Sequence, residues 1–216
     1  MKLLITEEVK QHGINAIMAI VSGAAVSNRS RPLEDLKKEV IEKTRSIDIV
    51  NNQILEGYRE LYPNRESSDY VPPAEHLIEI IKKNGRFPNI NTVVDSYNLV
   101  SVKTFLSIGA HDTSHINGDV VFRITNGSEQ YTSLGANESV KVSAGEYACM
   151  DADKILCRFD LRQCNETKIT KETKEFIVYV QGNKNVELAY LESALKETCD
   201  LITKISGGSY QIIHET

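Results

Sequence analysis

No apolar run in the 216-residue chain approaches the ~20 residues needed to cross a bilayer, so no helical membrane span is expected. The first residues, Met1-Lys2-Leu3-Leu4-Ile5-Thr6-Glu7-Glu8, lack the long apolar core and small-residue cleavage site of a secretory signal. A cytoplasmic location is therefore expected. Cysteine is scarce: Cys149, Cys157, Cys164 and Cys199 are spread without a C-x-x-C pair. Without export these are expected as reduced structural thiols, with Cys164 the best candidate for a catalytic one. Excess positive charge is missing too. A formal net charge of -5 excludes a general nucleic-acid binder held by bulk charge, and an RNA partner would have to meet a local basic patch. No DNA or membrane partner is expected. The chain also has no P-loop, no G-x-G-x-x-G after a strand, no H-E-x-x-H and no G-x-S-x-G. Standard kinase, dehydrogenase and α/β-hydrolase reactions are thereby excluded on motif grounds.

What is present is ordinary globular composition, 41% apolar and 25% charged, at a length that fits one domain. Leu3 to Thr6 and Ile14 to Val26 are β-branched enough to be strands, the second ending at Ser22-Gly23 or running past it. Arg31-Pro32 opens a helix on Leu33, Leu36, Val40 and Ile41. A second helix is expected from Asp48 to Leu61, then a polar loop from Asn64 to Tyr70. Pro72-Pro73 starts the next, on Leu77, Ile78 and Ile81, and Asn84-Gly85 ends it. Asn91 to Leu106 reads as another helix. From Gly118 the period changes to two, and Val120, Phe122 and Ile124 alternate toward an Asn126-Gly127 turn. Tyr131 to Leu134 is expected to return as a hairpin. Short strands follow at Val140-Val142, Tyr147-Met150, Ile155-Phe159 and Phe176-Val180. An amphipathic helix on Leu188, Leu191, Leu195, Ile202 and Ile205 stops at Gly207-Gly208, and Tyr210 to His214 is a candidate edge strand. Helices in the first half, a multi-stranded β unit in the second and one terminal helix make the expected class α+β, a single domain over 1–216.

Three polar segments are the candidates for chemistry. His111-Asp112-Thr113-Ser114-His115 places two imidazoles four apart, which on a helix would suit zinc. Gly109 and Gly118 flank it, so a loop is expected instead and no metal or cofactor is assigned. Asp95, Asn98 and Ser101 recur three apart in a helical segment. They form either a structural hydrogen-bond network or a pocket wall offering donors and acceptors to a small polar ligand. Arg158 to Lys168 is polar after an apolar strand. Arg158 and Arg162 suit a carboxyl, an ester oxygen or a tRNA phosphate, with a surface pairing to Asp160 as the competing reading. Lys168, Lys171 and Lys174 form one positive cluster, and Lys82, Lys83 and Arg86 another. Either is a solvated face or a track for an RNA backbone.

Several of these segments, in order, resemble the B3/B4 domain of the phenylalanyl-tRNA synthetase β subunit. They are Val94-Asp95-Ser96-Tyr97-Asn98-Leu99-Val100-Ser101, Leu106-Ser107-Ile108-Gly109-Ala110-His111-Asp112, and Gly118-Asp119-Val120-Val121-Phe122-Arg123. Gly145-Glu146-Tyr147 with Asp151, and Leu156-Cys157-Arg158 through Thr167-Lys168-Ile169-Thr170, continue the match. The resemblance implies a β-sandwich core with surrounding helices over 91–216, a strand-and-helix cap over 1–90 and a pocket at the B3/B4 junction. In the synthetase that pocket hydrolyses wrongly attached amino acids from tRNA, and the aminoacylation domain is not contained in this chain. It thus implies trans-editing of aminoacyl-tRNA, an amino-acid moiety in the pocket and tRNA as partner. Asn98 and Ser101 would orient substrate or water, and Asp95 and Asp112 would hold the α-amino group or water. Arg158 or Arg162 would meet the ester or RNA end. His111, Glu166 and Asp112 are the candidate catalytic groups, with Lys168 and Lys171 on RNA. Where the synthetase motif carries a pocket histidine before Ala-Phe-Asp, this chain has Gly109 before Ala110-His111-Asp112. Two other classes fit: a non-catalytic tRNA- or amino-acid-binding module, and a hydrolase of small aminoacyl metabolites.

Overall fold

The computed structural model describes residues 1–61, 71–159 and 162–215. The expected Asn64–Tyr70 loop and Asp160 lie outside them. Strands β1 (Leu3–Ile5) and β2 (Asn15–Ser22) flank the short α1 (Glu7–Gln11). Four helices follow: α2 (Arg31–Thr44), α3 (Gln53–Glu60), α4 (Pro73–Asn84) and α5 (Thr92–Thr104). Their ends obey local chemistry. The Asn91 side chain accepts from the amides of Val93 and Val94 to cap α5, and Gly85 ends α4 in the left-handed region at φ 65°. Helix α3 starts at Gln53 rather than at Asp48, because Asp48 accepts from the amides of Val50 and Asn51 and closes a turn there. The β-rich half holds β3 (Ser107–Asp112), β4 (Val120–Asn126), β5 (Gln130–Tyr131), β6 (Val140–Lys141), β7 (Ala144–Met150), β8 (Ile155–Arg158), β9 (Arg162–Gln163) and β10 (Glu175–Gly182). Helix α6 (Leu188–Ser206) and strand β11 (Ser209–Ile213) close the chain.

Among the described residues the strands form one sheet in the order β1-β4-β7-β8-β9, a second in the order β11-β2-β10-β3, and a small β5-β6 pair. The period of two distributes the second sheet's side chains to two cores. Phe176, Val178 and Val180 of β10 and Ile17, Ala19 and Val21 of β2 meet α5 and α6. Their neighbours Ile177, Tyr179, Ala16 and Met18 meet Leu3, Phe122, Tyr147 and Cys157 of the first sheet. Leu33, Ile78, Ile81, Leu99 and Val102 form a third apolar layer among α2, α4 and α5. Each large aliphatic or aromatic side chain so buried contributes about 1.5–3 kcal/mol. The result is α+β: sheet on sheet, covered by helices on one side. Strands β1 and β2, from the first ninety residues, pair inside these two sheets with β4 and β10. No helix among the described residues is long and apolar enough to cross a membrane.

Two local expectations fail. The Asn126-Gly127 turn does not return as a hairpin onto β4: β4 pairs with β7 and β1, while β5 pairs with β6. Glu129 closes the turn by accepting from the amides of Asn126 and Gly127, and the chain leaves the sheet there. His111 and Asp112 are not in a loop but at the end of β3, held by antiparallel pairing to Ile177 and Phe176, and Thr113–His115 is a 3₁₀ turn.

Candidate functional site

Helix α5 carries eleven buried residues among its thirteen, so it lies between other elements rather than on the surface. Its Val94, Tyr97 and Asn98 share one face by the i, i+3, i+4 rule and form one wall of a cavity of about 410 Å³. Pro73, His76 and Leu77 of α4 form the facing wall by the same spacing. Ile108 of β3 and Arg162 and Gln163 of β9 close the sheet side, and Ser133, Leu134, Lys168 and Ile169 come from loops. The site is thus assembled from segments far apart in the chain. It is largely apolar with a few polar groups, the usual make-up of a small-ligand site.

The polar groups differ in what they already hold. Among the described residues the Arg162 guanidinium and the Asn98 amide have no hydrogen-bond or ion-pair partner. Lys168 donates to Asn165 at 3.1 Å. The buried Tyr97 hydroxyl is hydrogen-bonded to the Gln163 side chain, and burial lifts its phenol well above the ordinary range. The backbone that carries Arg162 and Gln163 is fixed, since Tyr131 Oη donates to their carbonyls at 3.0 and 2.9 Å. Gly109 lies directly behind. A Cβ there would stand 2.5 Å from Tyr179 Oη and 2.8 Å from Gln163 Nε2, so the space a side chain at 109 would take is occupied by Tyr179 and Gln163.

Of the residues that the sequence nominates, Asn98, Arg162 and Lys168 therefore come together. The others do not line this cavity. Asp95 is fully buried against Lys37 at 2.6 Å and also accepts from the Ile90 amide. Ser101 donates to the Leu106 carbonyl at 2.6 Å and tethers the turn out of α5, where Phe105 sits at φ 62°. His111 and Asp112 are strand neighbours and so point to opposite faces. His111 is fully buried between the sheets, stacked on Tyr179 and sharing a 2.7 Å hydrogen bond with Thr167, which in turn is 2.9 Å from Cys164 Sγ. Burial depresses its imidazole to about 3, so the ring is neutral near pH 7. Burial pushes the Asp112 carboxyl up, but bonds from Ser114 and Thr173 together hold it below its ordinary value. Arg158 is taken by Glu146, with bonds of 2.9 and 2.5 Å, and stacks over Tyr131. Glu166 and Lys171 are exposed outside the cavity wall. Burial holds the Cys164 thiol above its ordinary value, the opposite of an activated nucleophile.

His76 and Gln163 are the site residues that sequence reasoning misses. The Pro73-x-x-His76-Leu77 spacing at a helix start is their one local sign, and nothing in the sequence links that helix to β9. A larger cavity of about 550 Å³ lies among α2, α5 and α6. Four of the seven charged residues on its wall are paired, Lys103 with Glu197 and Lys196 with Asp200, and none of the residues that the sequence nominates lines it.

Two sheets face to face, a helical layer over one of them and a largely apolar cavity between helix and sheet edge define the class. The chain belongs to the B3/4 domain family, whose model matches residues 65–207. Its fold is similar to a crystal structure of an N-terminal fragment of the phenylalanyl-tRNA synthetase β-subunit from Pyrococcus horikoshii, with a TM-score of 0.57 at 12% identity. That likeness covers 100% of this chain and 51% of the fragment, so the chain spans about half the fragment's length. No curated protein matches the chain.

Proposed function

We propose that the protein hydrolyses the aminoacyl ester of a mischarged tRNA, acting in trans, with the 410 Å³ cavity receiving the aminoacyl end. The observation that carries this reading is the convergence of the unpartnered Asn98 and Arg162 with Lys168 on one apolar cavity in a B3/4-family fold. Ester hydrolysis needs a placed carbonyl, donors where the oxyanion develops and a base for water. The Arg162 fork supplies donors, the Asn98 amide orients the substrate, and Lys168 meets the RNA end. The apolar faces of Val94, Ile108 and Ile169 take the amino-acid side chain. The overall charge of -5 confines RNA contact to this local cluster. The test is release of labelled amino acid from a panel of correctly and wrongly charged tRNAs. Selective release from one mischarged species is expected, and Arg162→Ala should lower its kcat/KM by about a hundredfold. Absence of release at protein concentrations near the RNA's would reject catalysis on tRNA.

A second reading, a binding module without turnover, is favoured by one observation: His111 and Glu166, the bases that the sequence nominates, stand off the cavity wall. Charged tRNA bound through Arg162 and Lys168 without release would establish it instead.

A further inference from the structure

Resting on that reading, we propose that His76 is the general base that activates the hydrolytic water. His76 sits on the α4 face that also carries Pro73 and Leu77, all three lining the cavity. The neighbouring face is buried through Ala74, Ile78 and Ile81, and Ile78 and Ile81 pack in the helical core with Leu77 at its margin, which fixes the helix's rotation. The side chain is exposed, and among the described residues its imidazole has no hydrogen-bond or ion-pair partner. It is therefore free to hold a water.

Elimination along the described cavity wall leads to the same residue. Arg162 and Lys168 are hydrogen-bond donors that suit a developing oxyanion or a phosphate rather than a water's proton. The Tyr97 phenol is buried and already bonded to Gln163. Asn98, Ser133 and Gln163 carry no group that takes up a proton in this range. Imidazole is the side chain whose proton exchange falls near physiological pH, as a general base requires. The alternative imidazole, His111, is sealed between the sheets with one nitrogen on Thr167.

The step balances with water alone. The water oxygen forms a bond to the ester carbonyl carbon while one of its protons passes to the His76 imidazole. The carbonyl π electrons move to the oxygen, which the Arg162 fork stabilises. The tetrahedral species then collapses and the bond to the ribose oxygen breaks. That oxygen takes the proton from the His76 imidazolium. The products are the free amino acid and tRNA with its terminal hydroxyl restored.

The experiment compares the full chain with His76→Ala and His76→Gln on the tRNA that the wild type deacylates. Both variants alter an exposed side chain and should keep the fold, as judged by thermal unfolding. The expected result is a fall in kcat of about a hundredfold or more in both, with KM nearly unchanged. The acid limb of the kcat/KM–pH profile should disappear, and added free imidazole should restore turnover to His76→Ala. Retained turnover in both variants, alongside loss in Arg162→Ala, would overturn the assignment and leave the site standing. Failure of the wild type to release any amino acid would remove the deacylase reading itself, and this assignment with it.

Discussion

The sheet–sheet interface around His111 and the cavity beside Asn98 both set a few polar side chains among apolar ones, yet they differ in how those groups are used. At the interface His111 shares a hydrogen bond with Thr167, Thr167 with Cys164, and Tyr147 donates to Gln181 at 2.6 Å. One helix away Asp95 is closed by Lys37. In the cavity, Asn98, Arg162 and His76 have no such partners among the described residues. At the interface most polar atoms are met inside the fold, although His111 Nε2 and Gln181 Nε2 are buried without a partner among the described residues, whereas polar groups left open on an apolar cavity are available to a ligand.

The contrast is broken most sharply at Lys37. Lys37→Met removes the counter-charge of a fully buried carboxylate, and the stability loss is expected to reach about 3–5 kcal/mol in a denaturant titration. A loss below about 1 kcal/mol would show that Asp95 is not sealed as described.

His111 gives the next largest effect. Its folded-state value is depressed from 6.5 to about 3 by burial, whereas the unfolded chain takes up the proton as pH falls through 6.5. The stabilisation is therefore complete above pH 6.5 and is lost progressively down to about pH 3. At about 1.4 kcal/mol per pH unit, moving from pH 7 to pH 5 should remove about 2 kcal/mol through this residue. His111→Asn should flatten the slope over that interval, and an unchanged slope would refute the buried neutral ring.

The two arginines sharpen the comparison further, because they lie four residues apart and pair across β8 and β9. Arg158→Ala strands the half-buried Glu146 and should cost about 1.5–3 kcal/mol while sparing the cavity. Arg162→Ala should stay within about 0.5 kcal/mol of wild-type stability while losing activity. Reversed effects would mean that the two roles have been exchanged.

These arginines also mark what the sequence could and could not disclose. The helices over α2, α4 and α5 and the closing α6 are legible because their apolar stripes and their Pro, Asn and Gly boundaries are local signals. The strand β3 was obscured by Gly109 within it and Gly118 beyond it, although Gly109 is there to let Tyr179 and Gln163 approach the backbone. The hairpin at Asn126-Gly127 misled because the partner of β4 is chosen by β7, some twenty residues on, and not by the turn. Asn98, Arg162 and Lys168 stood out as polar residues in apolar settings. So did Asp95, Ser101, Asp112 and Arg158, since sequence shows polarity but not whether a partner meets it. His76 was passed over because its relation to β9 exists only in the folded chain.

The most direct test is to follow side-chain amide resonances of the asparagines and glutamines by nuclear magnetic resonance. The ligand is an adenosine carrying its amino acid through a non-hydrolysable amide at the 3′ position. Asn98 and Gln163, on the cavity wall, are expected to shift with increasing ligand, while Gln181 and Asn183, sealed in the interior, remain still. Unmoved Asn98 and Gln163 with shifts elsewhere would contradict the claim that the open polar groups of this cavity form the site.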